Sequence, residues 1–375
     1  MHRLKIIGLA ALMLATGAWA GDLSWKLWAQ LRVDPGNIVY SPVSVQQALS
    51  LVALGAHHGA LSVIAPLARQ VAETNAMAKT MSDHGERLAI ANGVWVQSGM
   101  HLLPAYAASA RQAGAEATAV DFNTDTARQS INHFVSLHTA GHINQLLPPG
   151  LPSPATDLFI ANAVYFKGTW QHAFDAGRTK LEPFTRAAGP TVLAHMMHLG
   201  SVDMAYAEAG TVQILAMPYQ DGRMEMVLVL PAQADRLSEI ETGVGTQFEA
   251  WQHALKPTSL SDVAVPRFKI AWHHVLNDAL ENSGLRSLFD GSADLSGIVG
   301  TPQKISVVLH AATISVNELG TVATAATAIG MTRAVMQKPS FIADHPFLFY
   351  IRDRQSGTIL FTGRFADPTL PNSGG

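Results

Sequence analysis

The sequence predicts an α+β fold, and three observations point there. Helical periodicity dominates the first half of the chain and strand patterning the second. No linker, internal repeat or low-complexity block interrupts the 375 residues. Hydrophobic residues make up 48% of the chain, enough for a large packed core. Residues 21–375 therefore read as one domain, larger than most built on a single core.

Residues 1–20 have the layout of an export signal: a basic start at His2, Arg3 and Lys5, an apolar run from Ile6 to Leu14, and a small-x-small site at Ala18-Trp19-Ala20. The run is too short to span a bilayer, and no later segment reads as a membrane span. The expected location is outside the cytoplasm, secreted to the extracellular space or held in a periplasm. Ser41-Pro42 opens a helix, with Ser as N-cap and Pro at the first helical position. Val45, Ala48, Leu49 and Val52 give it one buried face, and Gly55 is expected to close it with a left-handed cap. A second helix is expected over 126–140, with Ile131, Phe134 and Val135 on one face and Gly141 at its end. A third is expected from His273 to Ser283, closed by Gly284.

Strands are as plain. Asp157 to Phe166 is a nearly continuous apolar run, the pattern of a strand covered on both faces. Met224 to Leu230 ends at Pro231, and Ile305, Val307 and Leu309 alternate into a run through Ile314 and Val316. Phe347–Ile351 and Thr358–Phe365 flank the polar turn 352–357 and read as a hairpin. Between the last two groups lies a stretch without bulky or charged residues, Gly320 to Ala328, followed by the mixed segment 331–340. A loop of about twenty residues inside a compact domain is uncommon and usually functional. This one has the composition of a strand with nothing large on either face.

Charge and motifs exclude several functions. A net charge of −3, with only 14% charged residues against about 25% in a typical domain, argues against a nucleic-acid footprint. The absence of cysteine removes disulfides, thiolate nucleophiles and Cys-based zinc sites. HExxH, GxSxG and GxxxxGK[ST] are missing, so nothing selects a hydrolase or a P-loop enzyme. Sixteen histidines invite a metal reading. Adjacent His57-His58 and His273-His274 diverge on a helix, however, and His195 with His198, placed on one helical face, lack a carboxylate at ligand spacing. No metal and no cofactor are expected.

Six motifs in order make the chain resemble the serpin family, the serine protease inhibitor superfamily, over nearly all of its mature length. They are Asn37 to Ser44, Thr139 to Ile143, Ala161-Asn162-Ala163-Val164-Tyr165-Phe166-Lys167-Gly168-Thr169-Trp170, Val265 to Ile270, Ala293 to Ile298, and Ala343 to Phe349. The resemblance implies the serpin fold: three β-sheets, about nine helices and an exposed reactive loop at about 319–340. It also implies a mechanism. A protease attacks the loop and forms an acyl-enzyme, and the cut loop inserts into the central sheet, trapping the enzyme. Strand addition and stored-strain release of this kind are known properties of serpins. The implied partner is a target serine protease, held covalently by a monomer, with neither nucleic acid nor membrane involved.

The residues agree with insertion on physical grounds. In the family's register Thr321, Ala323, Ala325 and Thr327 face the core, and Val322, Thr324, Ala326 and Ala328 face outward. None is Pro, which breaks a ladder, or a charge, which is expensive to bury. Leu319 and Val322 stand where acidic residues are common in the family, and neither blocks insertion. Counted by the family's usual loop length, the resemblance implies a reactive bond at Ala334–Val335, reached forward from Gly320 and back from Pro346 and suited to an elastase- or subtilisin-like protease; Arg333 is the alternative and suits a trypsin-like pocket. The resemblance further implies that Ser41, Ser44, Asn162 and His310 form a hydrogen-bonded cluster controlling sheet opening, and that Glu318 pairs with Arg267 near Trp170 at the loop's entry. The competing function on the same fold is a carrier or chaperone whose loop is cut without trapping.

Overall fold

The computed structural model describes residues 23–57, 64, 87–320 and 338–370. The signal-like segment and most of the predicted loop, including Thr321–Thr327 and Arg333–Val335, lie outside the described residues.

In chain order the strands are β1 (Ile38–Tyr40), β2 (Arg87–Gln97), β3 (Glu116–Val120), β4 (Leu158–Lys167), β5 (Lys180–Phe184), β6 (Val192–His198), β7 (Val202–Ala209) and β8 (Val212–Pro218). There follow β9 (Met224–Pro231), β10 (Lys256–Leu260), β11 (Val263–Pro266), β12 (Phe268–Val275), β13 (Val307–Val316), β14 (Phe341–Ile342), β15 (Phe347–Asp353) and β16 (Ile359–Phe365). Eight α-helical segments occur among the described residues: α1 (23–31), α2 (Pro42–Ala53), α3 (Pro104–Gln112), α4 (Asp125–His138), α5 (Leu237–Ala254), α6 (Asn277–Leu280), α7 (Ser287–Asp290) and α8 (Ser296–Val299).

The strands form three sheets, in the orders β1-β16-β15-β9-β8-β7-β10, β14-β11-β6-β5 and β12-β13-β4-β2-β3. Helix α2, buried along its whole length, packs between the seven-stranded and five-stranded sheets. Helix α4 covers the other face of the five-stranded sheet, burying Ile131 and Val135 with Trp95, Phe159 and Leu309. Strand β4 is thus sandwiched, which is why its sequence is continuously apolar rather than alternating.

Four local expectations need correction. Helix α2 ends at Leu54 in right-handed geometry, not in a left-handed cap at Gly55. Gly55 is needed for close approach instead, since a Cβ there would stand 2.3 Å from Ile298 Cγ1. Helix α4 stops at His138, where Ala140 (φ 53°) and Gly141 (φ 76°) turn the chain. His273 lies within strand β12, which runs on to Val275, rather than starting a helix: Phe268, Ile270 and Trp272 are buried while Lys269 and His273 at alternate positions are exposed, a period of two. The helix begins only at Asn277 and passes through a turn closed by Gly284 (φ 101°). His195 and His198 likewise lie on β6, an odd number of residues apart, and so face opposite sides. His198 meets Asp262 Oδ2 at 2.7 Å and Glu182 Oε2 at 3.1 Å, carboxylates brought from distant sequence.

Candidate functional site: a polar rung and the loop's entry

The five-stranded sheet contains one polar rung. Strand register aligns His274 with His310, His310 with Asn162, and Asn162 with Asn92, across four adjacent strands. Paired residues project to the same face, and this face is the one covered by α2. Ser41 caps that helix, its Oγ accepting from Ser44 N at 3.2 Å. The same first turn supplies partners to the rung. Ser41 N donates to His310 Nε2 at 3.2 Å, and Asn162 Nδ2 donates to Ser44 Oγ at 2.6 Å and to Asn92 Oδ1. Asn92 Nδ2 reaches Gln47 Oε1 at 3.3 Å, and His310 Nδ1 bonds Asn162 Oδ1. The structure therefore brings Ser41, Ser44, Asn162 and His310 into one network, and adds Asn92 and Gln47.

The network assigns the His310 tautomer. A backbone N–H only donates, so Nε2 must be the bare acceptor and Nδ1 carries the proton given to Asn162. The ring is neutral. Complete burial, reinforced by the His274 charge, lowers its pKa from 6.5 to about 3. A second proton would break the bond to Ser41 and place an unpaired charge in the core.

The rung straddles the junction of β13 and β4, which run parallel. Their ladder extends from Val307–Phe159 to Thr313–Tyr165 and stops there. Both strands continue, β13 to Val316 alongside β12 and β4 to Lys167 alongside β2. The seam is thus unpaired at one end.

At that open end β13 leads into the loop through a tight clamp. Trp170 N donates to Leu319 O at 3.0 Å, Trp170 Nε1 to Asn317 O at 3.0 Å, and Phe174 N to Glu318 O at 2.7 Å. Trp170 is itself held by stacking on Tyr219, centroids 4.5 Å apart. Gly320 adopts φ 104°, and a Cβ there would lie 2.3 Å from Gly168 O. Only glycine meets both demands. Glu318 is ion-paired with Arg267, as the resemblance implied, and also accepts from Thr179 Oγ1 at 2.7 Å. Burial raises the Glu318 pKa, but the bonds from Arg267 and Thr179 outweigh it and hold the carboxyl below its usual range. The chain re-enters the described region at the four-stranded sheet, where Ser261 N donates to Pro339 O at 2.8 Å and β14 pairs parallel with β11.

Sequence reasoning missed Asn92, Gln47 and Thr179. A signal for Asn92 was present: Ile90-Ala91-Asn92-Gly93-Val94 echoes Ile160-Ala161-Asn162-Ala163-Val164, and the two copies pair directly. Thr179 and Gln47 carry no such signal.

This architecture, three sheets with a buried helix packed against a parallel seam that is unpaired at one end, defines the class of protein. The family model described as serpin (serine protease inhibitor) matches residues 19–368, and the chain belongs to the serpin family. It is 34% identical to Serpin-Z1C of Triticum aestivum over 363 residues, covering 89% of this chain and 90% of that one. It is also 34% identical to the leukocyte elastase inhibitor of Homo sapiens over 357 residues, covering 89% and 93%. Among solved structures, Arabidopsis AtSerpin1 in its native stressed conformation superposes with a TM-score of 0.84 at 26% identity, covering 95% of this chain and 98% of that one.

Proposed function

We propose that this serpin is a suicide-substrate inhibitor of serine proteases, elastase- or subtilisin-like enzymes first and trypsin-like enzymes second. The protease cuts at Ala334–Val335, or after Arg333, and the severed loop enters the β13–β4 seam while the acyl-enzyme remains attached. The covalent complex is formed by a monomer exported by residues 1–20.

The observation that carries this reading is the seam. A strand that follows β13 through the turn at Gly320 runs antiparallel to β13, and therefore antiparallel to β4 as well. It meets regular hydrogen-bonding partners on both sides. The unpaired end of the seam lies beside that turn, so insertion starts where no β13–β4 ladder bond has to break, and the parallel ladder from Thr313–Tyr165 to Val307–Phe159 opens as it proceeds. About ten new backbone hydrogen bonds at roughly 0.5–1.5 kcal/mol each are comparable to an ordering cost of roughly 1–2 kcal/mol per residue. What the inserted side chains bury then decides the balance, and small uncharged residues at Thr321, Ala323, Ala325 and Thr327 keep it favourable.

The test is incubation with elastase, subtilisin and trypsin followed by denaturing electrophoresis. A stable band near the summed mass is expected, together with a higher melting temperature of the nicked inhibitor. Mass spectrometry of the released C-terminal fragment identifies the bond. Cleavage without a complex would favour the carrier reading. Thr321→Glu should turn trapping into plain cleavage.

A further inference from the structure

On the face opposite the polar rung, a cavity of about 310 Å³ opens between the five-stranded sheet and the segment that follows α4. Its floor is set by register. Lys269, Ala271 and His273 alternate on β12 and so share a face, and Ala271 and His273 pair with Thr313 and Ala311 of β13. Its roof is the segment 142–146, and this segment is tied to the other side of the seam: the His142 ring stacks on Tyr165 of β4 at 3.7 Å. The cavity therefore spans from the β4 side of the seam to β12.

The lining carries one lysine and two histidines, and no carboxylate among the described residues. Lys269 and His273 have no ion-pair or side-chain hydrogen-bond partner among the described residues. Asn144 lines the same space; its carbonyl oxygen accepts from Ser136 Oγ at 2.8 Å, which leaves the amide NH₂ to donate. Donors facing a space of small-ligand size, with no acceptor charge to balance them, favour an anion.

We infer that this cavity binds a small oxyanion-bearing ligand, carboxylate or phosphate, which clamps segment 142–146 onto β12 and β13 and holds the seam closed. The clamp's consequence for trapping rests on the function proposed above; the binding itself does not. Calorimetric titration of the uncleaved full chain with inorganic phosphate and, separately, succinate tests the site. Saturable binding of at least one anion is expected, and the arm that binds identifies the chemistry. Lys269→Ala should weaken it at least about tenfold, the scale of one lost charge-assisted hydrogen bond, while Lys269→Arg keeps most of it. No saturable binding of either anion, or unchanged affinity in the Lys269→Ala/His273→Ala double variant, overturns the site. Native-state hydrogen exchange tests the clamp without any protease: amides of Leu309–Thr313 and Ala161–Tyr165 should exchange several-fold more slowly with the anion bound. Unchanged exchange at saturation overturns the clamp. Loss of protease trapping with both results intact counts against the proposed function alone.

Discussion

The seven-stranded and five-stranded sheets are built from similar residues and behave differently. In the first, every neighbouring pair is antiparallel. Strand β9 at its centre is buried throughout, packed among Phe349, Phe361 and Tyr350. In the second, β13 and β4 meet in parallel, their ladder ends before either strand does, and a row of histidine and asparagine crosses the junction. The central strands of the first sheet hold by burial, so opening them costs core area along their length. The seam's strands are buried too, but across them a few satisfied polar groups form a localised lock. The lock is strong while each group keeps its partner, and it is lost as a unit when one does not.

The largest effect that sharpens this contrast lies in the apolar sheet. Phe361→Ala should cost about 3–5 kcal/mol in chemical denaturation, since Phe361 is wholly buried. It should leave unchanged the gain in melting temperature on loop cleavage. A variant that abolished that gain would show the two sheets to be coupled.

Acid should act on the other sheet. The unfolded chain's histidine titrates near 6.5, while folded His310 stays neutral to about pH 3. Below pH 6.5 the unfolded state takes up a proton that the native state refuses. The His310 contribution is therefore constant above that pH and erodes by up to about 1.4 kcal/mol per unit as pH falls towards 3. Urea midpoints for the parent and His310→Gln should differ by a constant amount above pH 6.5 and converge in acid.

Asn162→Ala removes three hydrogen bonds and leaves His310 and Asn92 short of a partner. A loss of about 1–3 kcal/mol is expected. Its combination with Ser44→Ala should be less than additive, because the two groups share one bond. Additivity in that double-mutant cycle would break the picture of a single lock. The smallest effect is Thr179→Val, which strips one of two partners from Glu318 at the edge of the seam. About 1 kcal/mol or less is expected, visible as faster hydrogen exchange at Glu318–Gly320.

Much of this was legible in the chain. The sandwiched strand β4 announced itself as an unbroken apolar run, α2 by its Ser41-Pro42 start, and the β15–β16 hairpin by two runs around a polar turn. Failures came where local pattern is ambiguous. His273 and His274 fit a helix or a strand equally well until Ile270 and Trp272 find a core to enter. The carboxylates around His198 come from residues 182 and 262, distances along the chain that no local pattern spans.

By itself the sequence determined which segments are apolar, where helix α2 starts, and that the stretch after Glu318 carries nothing a sheet would reject, because these follow from each residue's own chemistry and its near neighbours. Only the tertiary structure decided that β13 and β4 lie side by side in parallel, that their ladder stops short, and that Asn92 joins Asn162 and His310 on one rung. Register between distant strands is a choice among many pairings, and it is settled by the packing of the whole core rather than by any segment alone.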